Sequence, residues 1–279
     1  MIDQLDINGN TMVDTAILTL QMFEPEEGYF LAFSGGKDSV VIKALADMAG
    51  VKYDAHYQHT SVDPPELVKF VKSFPDVTID YPRYKDGTRC TMWNLIPKKR
   101  MPPTRAVRYC CEYLKEGAGG ERFTITGVRK EESAKRSHRA RFEARRVKTE
   151  KATVRVDPVV DPDNQTPELF YICKTYAKKI LNPIIDWTEA DVWEFIHRYN
   201  LPYCKLYDEG WSRIGCLACP IAGADKQRKD FERYPYAYKA YLRAFEKMLI
   251  EREKAGLDTT KWKTGEDVMR WWLNETEGE

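Results

Sequence analysis

A short apolar run, Tyr29 to Phe33, leads without a break into Ser34-Gly35-Gly36-Lys37-Asp38-Ser39, and Val41, Leu45 and Met48 then fall on one face of a helix. Strand, glycine turn and helix form the opening unit of a parallel sheet, because a chain leaving a buried strand this way must cross over before it pairs again. Two adjacent glycines let the turn close tightly with its backbone N–H groups facing outward at a helix N-terminus, an anion site that needs no side chain. Ser34 and Ser39 add hydroxyls, Lys37 a positive charge, and Asp38 a helix cap or a contact to Mg²⁺. The residue order is not that of the Walker A loop, since the four-residue gap is missing and the lysine precedes the last acid.

The alternation continues on both sides of this unit. Met12, Ala16, Leu20 and Phe23 have helical spacing and predict a leading helix over 11–23. A strand is expected at 53–59, a helix opening at Pro64-Pro65-Glu66, a strand at 77–81, a helical stretch at 104–115 and a strong strand at 122–128. Beyond residue 140 the pattern weakens: Thr153–Val156 and Leu169–Cys173 have β character and are broken by Asp-Pro pairs, as in an inserted hairpin or loop. Thr188 as N-cap, Glu189 and Asp191 in a first turn, and the face Val192, Phe195, Ile196 and Tyr199 predict a helix over 188–200. Residues 201–224 read as irregular, and helical spacing returns at 227–254 and 264–274. The expected fold class is α/β, a Rossmann-like parallel sheet flanked by helices, with a helical C-terminal region that carries a cysteine site. In linear terms this divides the chain into an N-terminal helix (1–27), a nucleotide-binding domain (28–200), and a cysteine segment with C-terminal helices (201–279).

The 279 residues suffice for one large α/β domain, or for a core with a smaller appendage. No apolar run approaches the roughly 20 residues of a membrane helix. No Lys or Arg precedes Lys37, the opposite of a secretory signal, so a cytoplasmic location is expected. The net charge of +1 conceals an asymmetry: residues 1–28 hold six acids and no base, whereas Lys98 to Lys148 holds sixteen Lys and Arg against six Glu. An excess on that scale calls for something anionic, and a nucleotide, a nucleic-acid backbone or an acidic partner would each serve.

Seven cysteines in such a chain point to metal or redox chemistry rather than to a disulfide framework. Cys216-Leu-Ala-Cys219, followed by Pro220, is a chelating pair on an irregular segment, and Cys110-Cys111 lies within Arg108-Tyr-Cys-Cys-Glu-Tyr-Leu-Lys115. Four thiolates suit a [4Fe–4S] cluster or a structural Zn²⁺, with Arg108, Lys115 and Arg213 to offset their charge. A redox dithiol at Cys216 and Cys219 lacks the thioredoxin-like βαβ context. Cys204 is a rival fourth ligand or a sulfur carrier, while Cys90 and Cys173 read as buried apolar fillers. Tyr234, Tyr236, Tyr238 and Tyr241, with Trp271 and Trp272, either stack bases or pack the C-terminal helices onto the sheet.

The loop Ser34–Ser39 resembles the pyrophosphatase loop (PP-loop) of the adenine-nucleotide α-hydrolase-like superfamily. Gly127-Val-Arg129-Lys-Glu-Glu-Ser133-Ala-Lys-Arg136 resembles the Gly-x-Arg…Ser…Arg segment of its phosphoadenosine-phosphosulfate (PAPS) and adenylyl-sulfate (APS) reductase-like family. Asn182-Pro183, Trp187, Asp191-Val192-Trp193, Leu201-Pro202-Tyr203, Leu206-Tyr207-Asp208-x-Gly210 and Gly215-Cys216 follow that family's pattern in order, over roughly residues 28–245. The resemblance implies that Ser34, Gly35, Gly36, Lys37, Asp38, Ser39, Gly127, Arg129, Ser133 and Arg136 bind the nucleotide. It also implies that Lys37, Asp38, Arg129 and Arg136 serve catalysis, and that Cys110, Cys111, Cys216 and Cys219 hold a [4Fe–4S] cluster, with Zn²⁺ as the alternative. One departure stands out: His59-Thr60-Ser61 occupies the place where the reductases often carry Asp-Thr-Gly.

Two features separate ATP chemistry from sulfate reduction. The loop is intact, whereas the reductases generally carry degenerate versions, and the last cysteine is Cys219, with no thiol in a C-terminal tail of the reductase type. Both favour an ATP pyrophosphatase that uses ATP and Mg²⁺ to adenylate an acceptor, expected to be nucleic acid, for sulfur from a cysteine desulfurase. In character this comes closest to the PP-loop component of DNA phosphorothioation systems, with the basic stretch 129–148 facing nucleic acid and no membrane partner. A PAPS/APS reductase releasing sulfite is the second reading, and a non-enzymatic nucleotide-binding iron–sulfur sensor the third.

Overall fold

The computed structural model describes residues 2–6, 9–134, 136–145, 153–156 and 178–274. Thr11 and Asp14 cap each other reciprocally and start helix α1 (Met12–Met22). Strand β1 (Tyr29–Ala32), helix α2 (Lys37–Ala49), strand β2 (Tyr53–Gln58), helix α3 (Pro65–Val71) and strand β3 (Val77–Asp80) follow in the expected order. Next come α4 (Met92–Lys99), α5 (Tyr109–Cys111) running into a π turn at Glu112–Glu116, β4 (Thr124–Ile125), β5 (Phe142–Arg145), β6 (Thr153–Val156) and β7 (Lys178–Leu181). The chain continues with α6 (Glu189–Arg198), α7 (Ala224–Arg233), α8 (Pro235–Lys254) and α9 (Gly265–Trp272).

The seven strands lie in the order β3-β2-β1-β4-β7-β5-β6. β1 runs parallel to β2 and β4, with Leu31 opposite Ala55 and Ile125, and β4 runs parallel to β7. The expected parallel sheet is therefore present, with one difference: β5 is antiparallel to both β7 and β6, so one margin is a hairpin. That hairpin matches the insertion expected beyond residue 140, and residues 169–173 lie outside the described residues. Tyr29, Phe30 and Leu31 are all buried, which is why β1 reads as a continuous apolar run rather than an alternation.

The chain clusters into two compact units, each threaded by non-adjacent segments. The first comprises 1–57, 66–79 and 119–213, and the second 58–65, 80–118 and 214–279. In the first, α1 packs on α2 and α2 on α6, around Leu20, Leu31, Ile42, Leu45, Phe142 and Phe195. Asp3 accepts both terminal nitrogens of Arg198, at 2.6 and 2.7 Å, and ties the N-terminal segment to α6. In the second unit α8 packs against α4, α7 and α9. Tyr241 and Trp272 lie 4.9 Å apart by ring centroid, and Trp93 of α4 meets Tyr241 edge-on at 5.2 Å. The C-terminal aromatics Tyr234, Tyr241 and Trp272 thus pack among the helices of their own unit, while Tyr236 and Trp271 are exposed. Among the described residues no helix is long and apolar enough to cross a membrane.

Several elements differ from the sequence reading. The stretch expected to be helical from 104 begins only at Tyr109, and the strand expected over 122–128 pairs only at Thr124–Ile125. Helix α4 escaped notice because Pro97 lies inside it; the reciprocal cap between Thr91 and Asn94 starts it nonetheless. The single helix expected over 227–254 is two, since Pro235 has no N–H to continue α7 and sits instead in the first turn of α8. Met48, expected on the buried face of α2, is exposed.

Candidate functional site

The glycine loop lies in the first unit, between β1 and α2. Gly35 has φ +73°, and a Cβ there would stand 2.7 Å from both Leu67 Cδ1 and Val71 Cγ2, so glycine is required on two counts. Gly36 is the N-cap of α2; its carbonyl accepts the backbone N–H groups of Ser39 (3.0 Å) and Val40 (3.1 Å) and the Ser39 hydroxyl (2.8 Å). Ser34 Oγ accepts the Gly36 N–H at 3.3 Å and donates to Ser39 Oγ at 3.2 Å. The loop is thereby held open at a helix N-terminus, where the backbone dipoles favour an anion.

Lys37 is 4% exposed. Its ammonium donates to the Ser212 carbonyl at 3.3 Å and stands 3.6 Å from Glu189 Oε1, 3.8 Å from Asp38 Oδ2 and 5.4 Å from the centre of the Tyr207 ring. The Lys37 backbone N–H donates to the Tyr207 hydroxyl at 3.0 Å. Burial pushes the Tyr207 hydroxyl well above the usual tyrosine range, so it stays a neutral group on the loop. Tyr207 and Glu189 were not singled out as site residues from sequence. Tyr207 stood only within a matching pattern, and Glu189 read as an ordinary first-turn acid.

Asp38 does not cap α2. Its Oδ1 accepts Arg129 Nε at 2.6 Å, and Arg129, only 2% exposed, also binds Glu131 Oε2 at 2.9 Å and the Trp187 carbonyl at 3.3 Å. Burial is the largest single effect and works against the charged guanidinium, yet Asp38, Glu131 and Glu132 together outweigh it and hold the Arg129 pKa up. Gly127 makes this meeting possible: a Cβ there would lie 2.9 Å from the Asp38 backbone carbon and oxygen. Glu132 accepts the Arg129 N–H at 3.1 Å with one oxygen and pairs with Arg136 through the other. Ser133 Oγ accepts the Arg136 N–H at 3.3 Å. Ser34–Ser39, Gly127 and Arg129 are thus in direct contact, and Ser133 and Arg136 join them through Glu132.

Five cations of the basic stretch are already matched to acids. Lys130 and Arg141 bind Asp186 at 2.7 and 2.9 Å, Arg139 pairs with Glu143, and Arg129 and Arg136 are engaged as above. These five side chains tie the first unit together, while Lys135, the Arg145 side chain and residues 146–148 lie outside what the structure describes.

Cys110, Cys111, Cys216 and Cys219 all belong to the second unit, whereas Cys204 is buried in the first and Cys90 is buried in the second. The hydrogen bond from Cys110 pulls the Cys111 thiol down to about 6, and the same bond pushes Cys110 up, with Cys216 and Cys219 adding repulsion. Burial raises Cys219. The charge of Cys216 holds the Lys115 ammonium above its ordinary range, and the Thr60 hydroxyl lies 3.5 Å from Cys216 Sγ. The Cys216–Cys219 turn is fixed from behind. Ala218 sits at φ +54°, its N–H donates to Asp230 at 2.9 Å, its carbonyl accepts Gln227 Nε2 at 3.1 Å, and the Leu217 carbonyl accepts the Tyr241 hydroxyl at 3.2 Å. Among the described residues no three His, Cys, Asp or Glu side chains are arranged to coordinate a metal ion as they stand. The donor set is nonetheless of the right kind for a thiolate-bound cluster: four mutually interacting thiols of one unit, with a cation on Cys216.

The family model for the phosphoadenosine phosphosulfate reductase domain matches residues 28–222. The chain belongs to that family. Similarity within it is moderate. An uncharacterized protein of Methanocaldococcus jannaschii is 25% identical over 244 residues, which take in 83% of this chain and 51% of that protein. The adenosine 5'-phosphosulfate reductase of Oceanobacillus iheyensis is 28% identical over 187 residues, or 64% of this chain and 63% of the relative. The chain spans less than two thirds of the length of either relative. Among solved structures, the PAPS reductase of Candida auris in its phosphate complex is 15% identical with a TM-score of 0.49, over 74% of this chain and 89% of that one. The phosphoadenosine phosphosulfate reductase domain family match covers the glycine loop, the Gly127–Arg136 segment and all four of these cysteines.

Proposed function

We propose that this member of the PAPS reductase domain family binds an adenine nucleotide triphosphate at Ser34–Ser39 and splits it between the α- and β-phosphates. The observation that carries this reading is the intact loop with its buried Lys37 ammonium, held beside the N-terminus of α2 by Ser212 and Tyr207. An acceptor oxygen attacks the α-phosphorus, the bond to the bridging oxygen breaks, and pyrophosphate leaves with that oxygen. Magnesium travels with the nucleotide as part of the substrate. Loop N–H groups and Lys37 stabilise the charge that develops on the leaving pyrophosphate. Arg129 is buried and committed to Asp38 and Glu131, so it acts by positioning the loop, while the part-exposed Arg136 exchanges its Glu132 partner for a phosphate oxygen when nucleotide binds.

In the same reading Cys110, Cys111, Cys216 and Cys219 hold a [4Fe–4S] cluster, with Zn²⁺ as the alternative occupant. When bound, the cluster would supply a site for sulfur delivered by a cysteine desulfurase; once a thiol reductant has supplied two electrons to bring that sulfur to the hydrosulfide level, it would attack the activated centre and the bond to the adenylated oxygen would break, releasing AMP. A nucleic-acid acceptor, as in DNA phosphorothioation, is the favoured case. The second reading, a reductase that releases sulfite from a sulfated adenine nucleotide, is supported by relatives named adenosine 5'-phosphosulfate reductase.

Anaerobically purified protein tests both readings in parallel assays of pyrophosphate from ATP and of sulfite from PAPS or APS, with iron, acid-labile sulfide and zinc measured on the same sample. Pyrophosphate without sulfite is the expected result. Sulfite without pyrophosphate overturns the leading reading.

A further inference from the structure

A second group of cations, apart from the stretch that opens at Arg129, lies in the second unit between Arg83 and Lys99. Arg83 and Arg89 face each other across an isolated antiparallel bridge, and Lys98 and Lys99 end helix α4. Lys85 is exposed beside them. Among the described residues no carboxylate lies within ion-pair distance of these five cations. Asp86, the acid within this segment, is exposed; its Oδ1 accepts from the Thr88 N–H and hydroxyl at 2.9 and 2.6 Å, and its charge is felt by Lys98 without an ion pair.

Tyrosine rings, not acids, hold most of these cations. Arg89 lies 4.3 Å from the centre of the Tyr81 ring, Lys98 lies 3.7 Å from that of Tyr84, and Lys99 lies 4.3 Å from that of Tyr113. Tyr84 and Tyr113 meet edge-on at 6.3 Å, and Arg83 is tied to the Gly87 carbonyl at 2.8 Å, so the set is continuous. A ring face orders a cation without neutralising it, whereas a carboxylate does both. The result is an ordered row of five cations against the single exposed acid Asp86, a net positive track of the kind that suits a phosphodiester backbone. Lys99 also borders a cavity of about 500 Å³ whose Glu112 and Glu116 repel phosphate, and this marks one end of the track.

We propose that this Arg83–Lys99 face binds the phosphodiester backbone of a nucleic acid, without base readout. The proposal names the surface that the acceptor of the preceding section would use and rests on that reading for its role. Binding is measured without nucleotide, so the two can fail separately.

The test is fluorescence anisotropy of the full chain with labelled single-stranded and duplex DNA across a salt series. The expected result is a logarithmic fall of affinity with salt, with a slope of about 0.9 for each duplex phosphate neutralised. Arg83→Gln/Arg89→Gln/Lys98→Gln/Lys99→Gln should lower that slope by about 3–4 and weaken binding roughly 10- to 100-fold at moderate salt. Tyr84→Leu/Tyr113→Leu keeps every charge and should weaken binding about 5-fold. Lys254→Gln/Arg270→Gln, which removes two cations of the same unit that already hold Glu251 and Asp267, should change it by less than about twofold. Circular dichroism establishes that each variant is folded. A folded quadruple variant that binds like this control overturns the proposal, as does equal, equally sensitive binding to inorganic polyphosphate or phosphatidylserine vesicles. Pyrophosphate release with no DNA binding leaves the loop chemistry standing and removes this surface. DNA binding with no pyrophosphate release does the reverse.

Discussion

Replacing Asp230 with alanine tests whether the Cys216–Cys219 turn is set by the helix behind it. Asp230 is 1% exposed; one oxygen accepts the Ala218 N–H at 2.9 Å and the other pairs with Lys226. Ala218 is fully buried, so Asp230→Ala leaves a buried N–H without its acceptor, a loss of about 1–3 kcal/mol. The Lys226 pair adds no more than about 1 kcal/mol, because the lysine is about one-third exposed and solvent screens it. Ala218 also sits in the left-handed region, which costs about 1–2 kcal/mol and is tolerated only while both of its peptide groups are held. A total near 2–3 kcal/mol corresponds to a fall of roughly 3–6 °C in the melting transition of a chain this size. Tryptophan fluorescence reads that transition, and metal analysis of the reconstituted protein reads the turn. Asp230→Ala should melt early and retain less than about half the wild-type metal, whereas Asp230→Asn keeps an acceptor oxygen and should recover most of both. An Asp230→Ala protein that melts within about 1 °C of wild type and loads fully would refute the argument.

Three further outcomes follow from the geometry. Gly127→Ala puts a Cβ 2.9 Å from the Asp38 backbone and should cost about 1–3 kcal/mol in urea unfolding and weaken nucleotide binding; an unchanged midpoint would mean the strand end can move away. Arg129→Gln breaks a buried pair and should cost about 3–5 kcal/mol, and adding Asp38→Asn should return part of it, so strictly additive losses in the double-mutant cycle would deny the coupling. The Thr264 N–H, first among several donors, holds the Asp267 carboxyl down to about 2; because the folded value lies below the unfolded one, the stability it lends α9 is complete above pH 4 and lost as the pH falls through 2. Trp271 and Trp272 fluorescence should report that loss in wild type and show a weaker dependence in Asp267→Asn.

How far the sequence could be read depended on the range of the interaction. The β1–loop–α2 unit and the Thr188 cap of α6 are written in adjacent residues, and both stand as read. Helix α4 was hidden by Pro97, whose cost within the helix is offset by packing against α8, a partner more than a hundred residues away. Asp38 reads from sequence as a cap or a contact to Mg²⁺; that it binds Arg129 depends on Gly127 admitting the strand end so closely. The charge excess was legible as a sum but not in its distribution. Five cations after residue 128 are neutralised by acids within the fold, and those held by tyrosine rings are not.

The threading of the two units has a consequence for how the protein is made. The chain crosses from one unit to the other five times, and the first unit has all its segments once residue 213 has left the ribosome. The second cannot close until α8 arrives to pack on α4. Until then the nascent chain carries a finished glycine loop while Cys110 and Cys111, and then Cys216 and Cys219, stand in a unit that has not yet packed. The metal centre proposed for those four thiols therefore cannot be complete before Cys219 emerges, and the interval before that is when oxidation of Cys110 and Cys111 can divert the chain.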